Sequence, residues 1–305
     1  MKLIIQIPCY NEAETLPIAL DALPREVEGF DTVEWLVIND GSQDDTIDVA
    51  RNCGVDHIVD LKHNQGLAKA FIAGIQACLE QGADVIVNTD ADNQYEARDI
   101  PKLVEPKLSH RAEYVIGARP ITQIEHFSPI KKLLQKLCSA VVRFASKTDI
   151  PDAPSGFRAM SKECAKVLNV YNNYTYTLET IIQAGQMGMA ITSVPVRTNA
   201  ELRPSRLFSS MTGYIKKSIV TIFRIFVVYK PFAFFMSIAS VLFLIGFLLG
   251  IRYLYYYFTG DGGGHLQSVI LAGILLGMGV QTALLAFVAD LLAVNRKLLE
   301  SIKIK

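Results

Sequence analysis

The stretch Asp84-Val85-Ile86-Val87-Asn88-Thr89-Asp90-Ala91-Asp92-Asn93-Gln94 sets an apolar run directly against a polar one. Asp84 to Thr89 is short and rich in Ile and Val, as a strand covered on both faces by helices must be. Asp90 and Asp92 then fall where the strand ends and its alternation relaxes, so two carboxylates one residue apart can converge on one hard cation. Mg²⁺ or Mn²⁺ takes such oxygen ligands and keeps positions open for a substrate diphosphate. Paired aspartates also occur in ordinary loops; the position after an apolar strand favours the site.

Outward from this stretch, Leu3 to Ile7, Val33 to Ile38, His57 to Leu61 and Tyr114 to Gly117 repeat the strand pattern. Between the strands lie helical patterns. In Gly66 to Gln81, Leu67, Ala70, Phe71, Gly74, Ile75, Cys78 and Leu79 recur at three- and four-residue intervals, and Gly82 stops the run. Asp44 to Cys53 is a second helix. The order predicts an α/β fold with a doubly wound, mostly parallel central sheet whose ligands gather at the carboxyl ends of the strands. No GxGxxG follows the first strand, which disfavours the dinucleotide-binding version.

Two further strand ends are polar. In Ile38-Asn39-Asp40-Gly41-Ser42-Gln43-Asp44-Asp45-Thr46, Asp40 can accept from base or ribose donors and Gly41 permits close backbone approach. Ser42 and Asp45 equally suit a helix cap, which leaves Asp40 free. In Pro8-Cys9-Tyr10-Asn11-Glu12, Pro8 ends the strand, Tyr10 can stack on a base and Glu12 can orient its neighbours, although a turn alone accounts for each. Three polar ends on adjacent strands make one cleft.

Lys plus Arg and Asp plus Glu number 30 each, so no net charge draws the chain to nucleic acid and none is expected as a partner. The five cysteines have no CxxC spacing, which predicts buried, reduced thiols and no zinc site. Met1-Lys2 leads straight into the first strand without a signal peptide, and the N-terminal domain is expected in the cytosol.

After Ser210 the composition changes. Met211 to Tyr229 sets Met211, Ile215, Ile219, Ile222, Phe223 and Phe226 toward one side and Lys217 and Arg224 toward another, the pattern of an interfacial helix or of a core helix with a basic edge. Phe232 to Ile251 and Leu266 to Ala289 are uncharged, and a bilayer core takes roughly 20 such residues as helix. The expected organisation is a cytosolic catalytic domain (1–208), an interfacial helix (209–230), a first span (231–252), an external loop (253–265), a second span (266–290) and a basic cytosolic tail (291–305). Lys216, Lys217, Arg224 and Lys230 before the hairpin, with Arg296, Lys297, Lys303 and Lys305 after it, place both flanks inside a cell membrane crossed twice. Tyr253, Tyr255, Tyr256, Tyr257 and Phe258 suit the water–lipid boundary, and the glycines beyond them suit a flexible outer turn. Ala272-Gly273, Gly277 and Gly279 permit close helix packing, within the hairpin or between the subunits of a homo-oligomer.

The segments Pro8-Cys9-Tyr10-Asn11-Glu12, Asn39-Asp40-Gly41-Ser42, Asn64-Gln65-Gly66, Asp90-Ala91-Asp92, Gly117-Ala118-Arg119 and Ser155-Gly156-Phe157-Arg158 stand in the order seen in family-2 glycosyltransferases of the GT-A fold. Over about residues 3 to 206 the chain resembles the branch of dolichol-phosphate mannose synthases and bacterial polyprenyl-phosphate glycosyltransferases. The resemblance implies that Pro8, Tyr10 and Glu12 hold the nucleoside, Asp40 accepts from it, Asp90 contacts the donor and Asp92 ligates Mg²⁺ or Mn²⁺ with the diphosphate. Asn39 stands where an aspartate is more usual, which leaves Asp40 as the base or ribose contact. Some members carry an aspartate, a proposed base, at the position of Gly156.

A phosphomonoester has a second pKa of about 6 and can attack an anomeric carbon without a base, whereas a hydroxyl acceptor needs one. Asp152 and Glu179 are the spare carboxylates nearest the motifs. The candidate cations for the acceptor phosphate are Arg119, Arg158, Arg203 and Arg206, with Ser205 between the last two and Arg197 behind them. The implied activity is inverting, metal-dependent transfer of a hexose from a nucleotide diphosphate sugar, UDP-glucose-like or GDP-mannose-like, to a polyprenyl phosphate among membrane lipids. Transfer to a hydroxyl of diacylglycerol or a glycan, and an inactive membrane adaptor that keeps the fold, are the alternatives. Two spans and the lack of a QxxRW-like element disfavour polymer synthesis.

Overall fold

β1 (Lys2–Cys9) is buried from its second residue, Leu3, to its end, as a strand at the middle of a two-faced sheet must be. A computed structural model describes residues 1–121, 129–170, 176–200, 211–260 and 262–302. β1 is flanked by β2 (Thr32–Asp40) and β4 (Val85–Asn88), both parallel to it, and β3 (His57–Leu61) extends the sheet beyond β2. On the other side come β6 (Arg158–Ser161), β5 (Tyr114–Ala118) and β7 (Ile191–Pro195), giving a seven-stranded order β3-β2-β1-β4-β6-β5-β7. Only β6 runs against its neighbours, so the sheet is mostly parallel. With four residues, β6 is too short to show a periodicity, and the sequence singles out only the motif that leads into it.

Helices cover both faces. α1 (Leu16–Ala22), α2 (Thr46–Asn52) and α3 (Leu67–Glu80) connect the first four strands, α4 (Ile100–Leu108) leads into β5, and α5 (Pro129–Ser146), α6 (Lys162–Val167) and α7 (Thr177–Gln186) follow. α3 drives Phe71, Ile75 and Cys78 into the core, the face its spacing predicts. α5 buries Leu134, Cys138, Val141, Val142 and Ala145, yet leaves Ile130, Leu133, Leu137 and Phe144 outward beside Lys132, Lys136 and Arg143. All five cysteines are free; four are buried and Cys53 is half-buried, and burial pushes the Cys9, Cys78, Cys138 and Cys164 thiols up.

The chain divides into two compact units, Met1–Ser218 and Ile219–Lys305, and α8 (Met211–Tyr229) runs across the division. The domain boundary expected between 208 and 209 lies outside the described residues. On α8 the side chains of Ser218, Ile225 and Tyr229 are buried, while Ile219, Val220 and Phe223 face outward with Lys216, Lys217 and Arg224. Apolar and cationic side chains therefore share the exposed surface instead of taking opposite sides.

In the second unit, α9 (Pro231–Phe258) and α10 (Leu266–Ile302) pack as an antiparallel hairpin. Both are long and apolar enough to cross a membrane. Only 11% and 17% of their most apolar windows is buried, so the apolar surface faces outward, unlike a core helix of a soluble protein. The expected link is shorter than 253–265: the helix runs on through the aromatic cluster to Phe258, because residues 251 to 259 hold no Gly or Pro, and Gly260 follows at φ +90°. The expected tail from 291 likewise continues as helix to Ile302. Gly279 lies against the Phe243 and Ala239 backbone and Gly246 against Ala272, whereas no neighbouring atom approaches Gly273 or Gly277 among the described residues.

Candidate active site

The site grows from two polar residues in otherwise apolar strands. Gln6 and Asn88 face each other across the β1–β4 register, and the Gln6 amide donates to Asn88 Oδ1 at 2.9 Å. Asn88 Nδ2 in turn donates to the Gly156 carbonyl and to the Tyr176 hydroxyl, each at 2.9 Å. Tyr176 stacks on Phe71 of α3 at 3.7 Å, and the Tyr95 hydroxyl accepts the Gly156 N–H at 2.8 Å. This buried, fully bonded network fixes where β4 ends and its loop begins.

Two residues on, Asp90 is half-buried, and no hydrogen bond reaches its carboxylate among the described residues. Burial, then the charge of Asp92, push its carboxyl up to about 7 against the pull of Arg119 and Arg158. Asp92 Oδ1 accepts the Gln94 N–H at 3.1 Å, which leaves its second oxygen for other partners. Such a pair fits Mg²⁺ or Mn²⁺: a cation relieves the repulsion and serves the bare carboxylate. Among the described residues no group of three or more His, Cys, Asp or Glu side chains is placed to hold a metal, so the pair alone is on offer. A hard cation commonly takes one or two carboxylates and completes its shell with water and substrate phosphates.

Gly156 closes the floor. A Cβ at this position would lie 2.9 Å from Asp90 Oδ2, 3.1 Å from Oδ1 and 3.2 Å from the Tyr176 hydroxyl, so only glycine lets the turn approach the carboxylate this closely. An aspartate here would force a second carboxylate onto Asp90.

The nucleoside-side residues divide. Tyr10 is 39% exposed at the end of β1 and keeps an accessible ring. Pro8 is buried in the β1–β2 register. Glu12 is buried and accepts from the Thr15 hydroxyl at 2.6 Å, while its N–H donates to Thr46 Oγ1. Asn11, at φ +55°, donates its N–H to Ser42 Oγ and accepts the Gln43 N–H, so the loops after β1 and β2 are stitched together. Asp40, expected as the base or ribose contact, is bonded to the backbone that leads into α3. It is 3% exposed, and its two oxygens accept the Gln65 and Gly66 N–H groups at 2.7 and 2.9 Å. It therefore holds the entry to α3, as a carboxylate at a helix N-terminus does.

The arginines divide too. Arg158 is fully buried: Nε donates to the Ser155 carbonyl, Nη1 to Tyr114 and Thr180, and Nη2 to the Ala153 carbonyl. It cannot meet an acceptor phosphate without dismantling that shell, so the expected phosphate contact is replaced by a structural role. Arg119 pairs with Asp152 through Nε and Nη2 at 2.7 and 3.1 Å, and its Nη1 reaches toward Gln94 Oε1 at 3.5 Å. Asp152, 1% exposed, is thus occupied in holding Arg119 and is not a free base. Glu179 is buried in the first turn of α7. Arg197 is exposed and paired with the wholly buried Asp99. Burial works to raise the Asp99 carboxyl, and hydrogen bonds from Arg197 and Lys102 outweigh it and hold it at about 2. Arg203, Ser205 and Arg206 lie outside the described residues.

Asn88, Tyr95 and Tyr176 escape a motif reading. A polar residue inside each of Leu3 to Ile7 and Val85 to Asn88 is the available signal for the Gln6–Asn88 pair; nothing local marks Tyr176.

The model of the glycosyl transferase family 2 domain matches residues 4–168. Among curated proteins, the undecaprenyl-phosphate mannosyltransferase of Micrococcus luteus is 28% identical over 224 residues, covering 70% of this chain and 90% of that protein. The UDP-N-acetylglucosamine–dolichyl-phosphate N-acetylglucosaminyltransferase of Methanococcus voltae is 29% identical over 214 residues, covering 63% and 83%. Among solved structures, glucosyl-3-phosphoglycerate synthase from Mycobacterium tuberculosis, in complex with Mn²⁺, UDP-glucose and phosphoglyceric acid, has a TM-score of 0.56 at 20% identity over 72% of this chain and 79% of that one, a likeness of fold.

Proposed function

Since the chain belongs to glycosyl transferase family 2 and is a glycosyltransferase, we propose that it moves a hexose from a nucleotide diphosphate sugar to a polyprenyl phosphate, with inversion, at the cytosolic face of a membrane. The observation that carries this reading is the Asp90–Asp92 pair at the carboxyl end of β4, where among the described residues no hydrogen bond reaches the Asp90 carboxylate and one reaches that of Asp92. Bound there, Mg²⁺ or Mn²⁺ would take up charge growing on the leaving diphosphate. Asp92 and Asp90 orient the pyrophosphate, and Tyr10 offers a face to the base. Arg119, held by Asp152, supplies fixed positive charge near Asp90. In the displacement, a phosphate oxygen of the acceptor forms the new bond to the anomeric carbon while the bond from that carbon to the nucleotide diphosphate breaks. Gly156 carries no base and Asp152 is already paired, which favours an acceptor that is ionised on arrival.

The lipid acceptor is supported from three directions. The named relatives act on undecaprenyl or dolichyl phosphate. α9 and α10 present apolar surface of spanning length. The outward ridge Ile130, Leu133, Leu137 and Phe144 on α5, with lysines beside it, has the chemistry of a surface that rests on anionic lipid. The basic flanks of the hairpin favour a cytosolic catalytic unit by the same charge rule that orients other spans. Arg203, Ser205 and Arg206 remain the proposed acceptor-phosphate contacts.

The test supplies purified protein and undecaprenyl phosphate with a panel of radiolabelled nucleotide sugars. One donor should yield a labelled lipid, and Asp92→Ala should remove most turnover while leaving folding and membrane insertion intact. Near-full turnover by that variant in the presence of metal would contradict the assignment.

A further inference from the structure

The chain leaving β7 does not stay at its own end of the sheet. β7 is separated from β4 by β6 and β5, yet residues 197–199 run alongside the loop that follows β4. Thr198 forms a bridge with Tyr95, and Glu96 N–H donates to the Arg197 carbonyl at 3.2 Å. Arg197 is anchored on the buried carboxylate of Asp99. At the end of this zipper, Asn199 engages three successive carbonyls: its N–H donates to Gln94 O at 2.9 Å, and its Nδ2 donates to Asn93 O at 2.9 Å and Tyr95 O at 3.2 Å.

The Asn93 carbonyl belongs to the same peptide group as the Gln94 N–H, which holds Asp92 Oδ1. Because a peptide group is planar and rigid, pinning its carbonyl oxygen also aims its N–H. Asn93 sits at φ +54°, the left-handed region that asparagine tolerates better than most residues other than glycine. An asparagine fits position 199 because its short side chain supplies two N–H donors to two carbonyls at once, which neither a serine nor an aspartate can do.

We propose that Asn199 is a positioning residue for the cation site: through the Asn93–Gln94 peptide it sets the orientation of Asp92, and so the affinity for the divalent ion. This rests on the reading of Asp92 as a metal ligand given above. Groups bonded directly to a ligand typically change metal affinity by about 10- to 100-fold when removed, and Asn199 acts one peptide group further back, so the low end of that range applies.

The experiment titrates Mn²⁺ alone into the purified full chain and follows free Mn²⁺ by electron paramagnetic resonance. Asn199→Ala should raise the dissociation constant about tenfold, and Asp92→Ala should abolish the binding. With the labelled donor and undecaprenyl phosphate, Asn199→Ala should need about tenfold more Mn²⁺ for half-maximal rate, with kcat at saturating Mn²⁺ within about twofold of wild type. A merely structural role would lower kcat at every Mn²⁺ concentration. Wild-type Mn²⁺ affinity in Asn199→Ala together with lost binding in Asp92→Ala overturns the role of Asn199 and leaves the metal reading standing. Undiminished binding in Asp92→Ala overturns both.

Discussion

Placing one methyl group on Gly156 probes the site without touching any charge. In Gly156→Ala the new carbon would sit 2.9 and 3.1 Å from the two Asp90 oxygens and 3.2 Å from the Tyr176 hydroxyl. Relaxed carbon–oxygen contacts lie at about 3.3–3.6 Å, so Asp90 must retreat by a few tenths of an ångström or the turn must lift. Tyr176 offers little relief, since it is bonded to Asn88 and stacked on Phe71. Overpacking of this kind costs about 1–3 kcal/mol when nothing yields. If Asp90 yields instead, the cost moves to function: a displacement of 1 Å costs about 100-fold, so a few tenths should cost about tenfold, or about 1.4 kcal/mol in the barrier. Denaturant unfolding and kcat/KM measured on the same preparation divide the two contributions. In an Asp90→Ala background the added methyl should have no further kinetic effect, because its target is gone. A stability within about 0.5 kcal/mol of wild type together with a kcat/KM within about twofold of wild type in Gly156→Ala would show that the added methyl meets neither Asp90 nor Tyr176.

Arg158→Ala should destabilise the catalytic unit by about 3–5 kcal/mol, seen as a large fall in Tm, because it leaves Tyr114, Thr180 and two carbonyls without their buried donor. Leu133→Glu on the outward ridge of α5 should lower turnover on undecaprenyl phosphate in vesicles severalfold and leave turnover on a short-chain, soluble prenyl phosphate unchanged; equal loss on both would show that the ridge does not meet lipid. Asp99 is held below its unfolded value, so its contribution to stability is complete above about pH 4 and lost as pH falls toward 2, about 1–2 kcal/mol after screening of its exposed partners. Asp99→Asn should remove that part of the acid unfolding slope, which equilibrium unfolding between pH 2 and 6 measures.

Much of the fold is legible in the sequence, for physical reasons that also mark where legibility ends. Runs such as Leu3 to Ile7 and Val33 to Ile38 are apolar throughout because parallel strands are covered on both faces, and α3 carries its register in Phe71, Ile75 and Cys78. β6 is hidden because four residues hold no period and the local sequence is dominated by Gly156 and Arg158. In the candidate site, the placement of Asp90 and Asp92 just beyond the end of β4 is legible from residue type and position. The structural bonds of Asp40 and Arg158 are hidden for one shared reason: a charged residue beside a cleft looks the same in sequence whether it faces the ligand or turns back to hold the backbone. Which it does depends on partners far along the chain, Gln65 and Gly66 for Asp40, Tyr114 and Thr180 for Arg158. Tyr176 and Asn199 are legible only once the strands that separate them from β4 have been placed.

In the proposed reaction, Asp92 and Asp90 present a divalent cation to a nucleotide diphosphate whose sugar passes to a lipid phosphate. Its most direct measurement follows radiolabel from the productive donor into extracted lipid, with the purified chain, undecaprenyl phosphate, and either EDTA or restored Mn²⁺. A labelled lipid that mild acid cleaves should form with Mn²⁺ and be absent with EDTA. A labelled lipid that resists mild acid, or one formed equally well in EDTA, would contradict it.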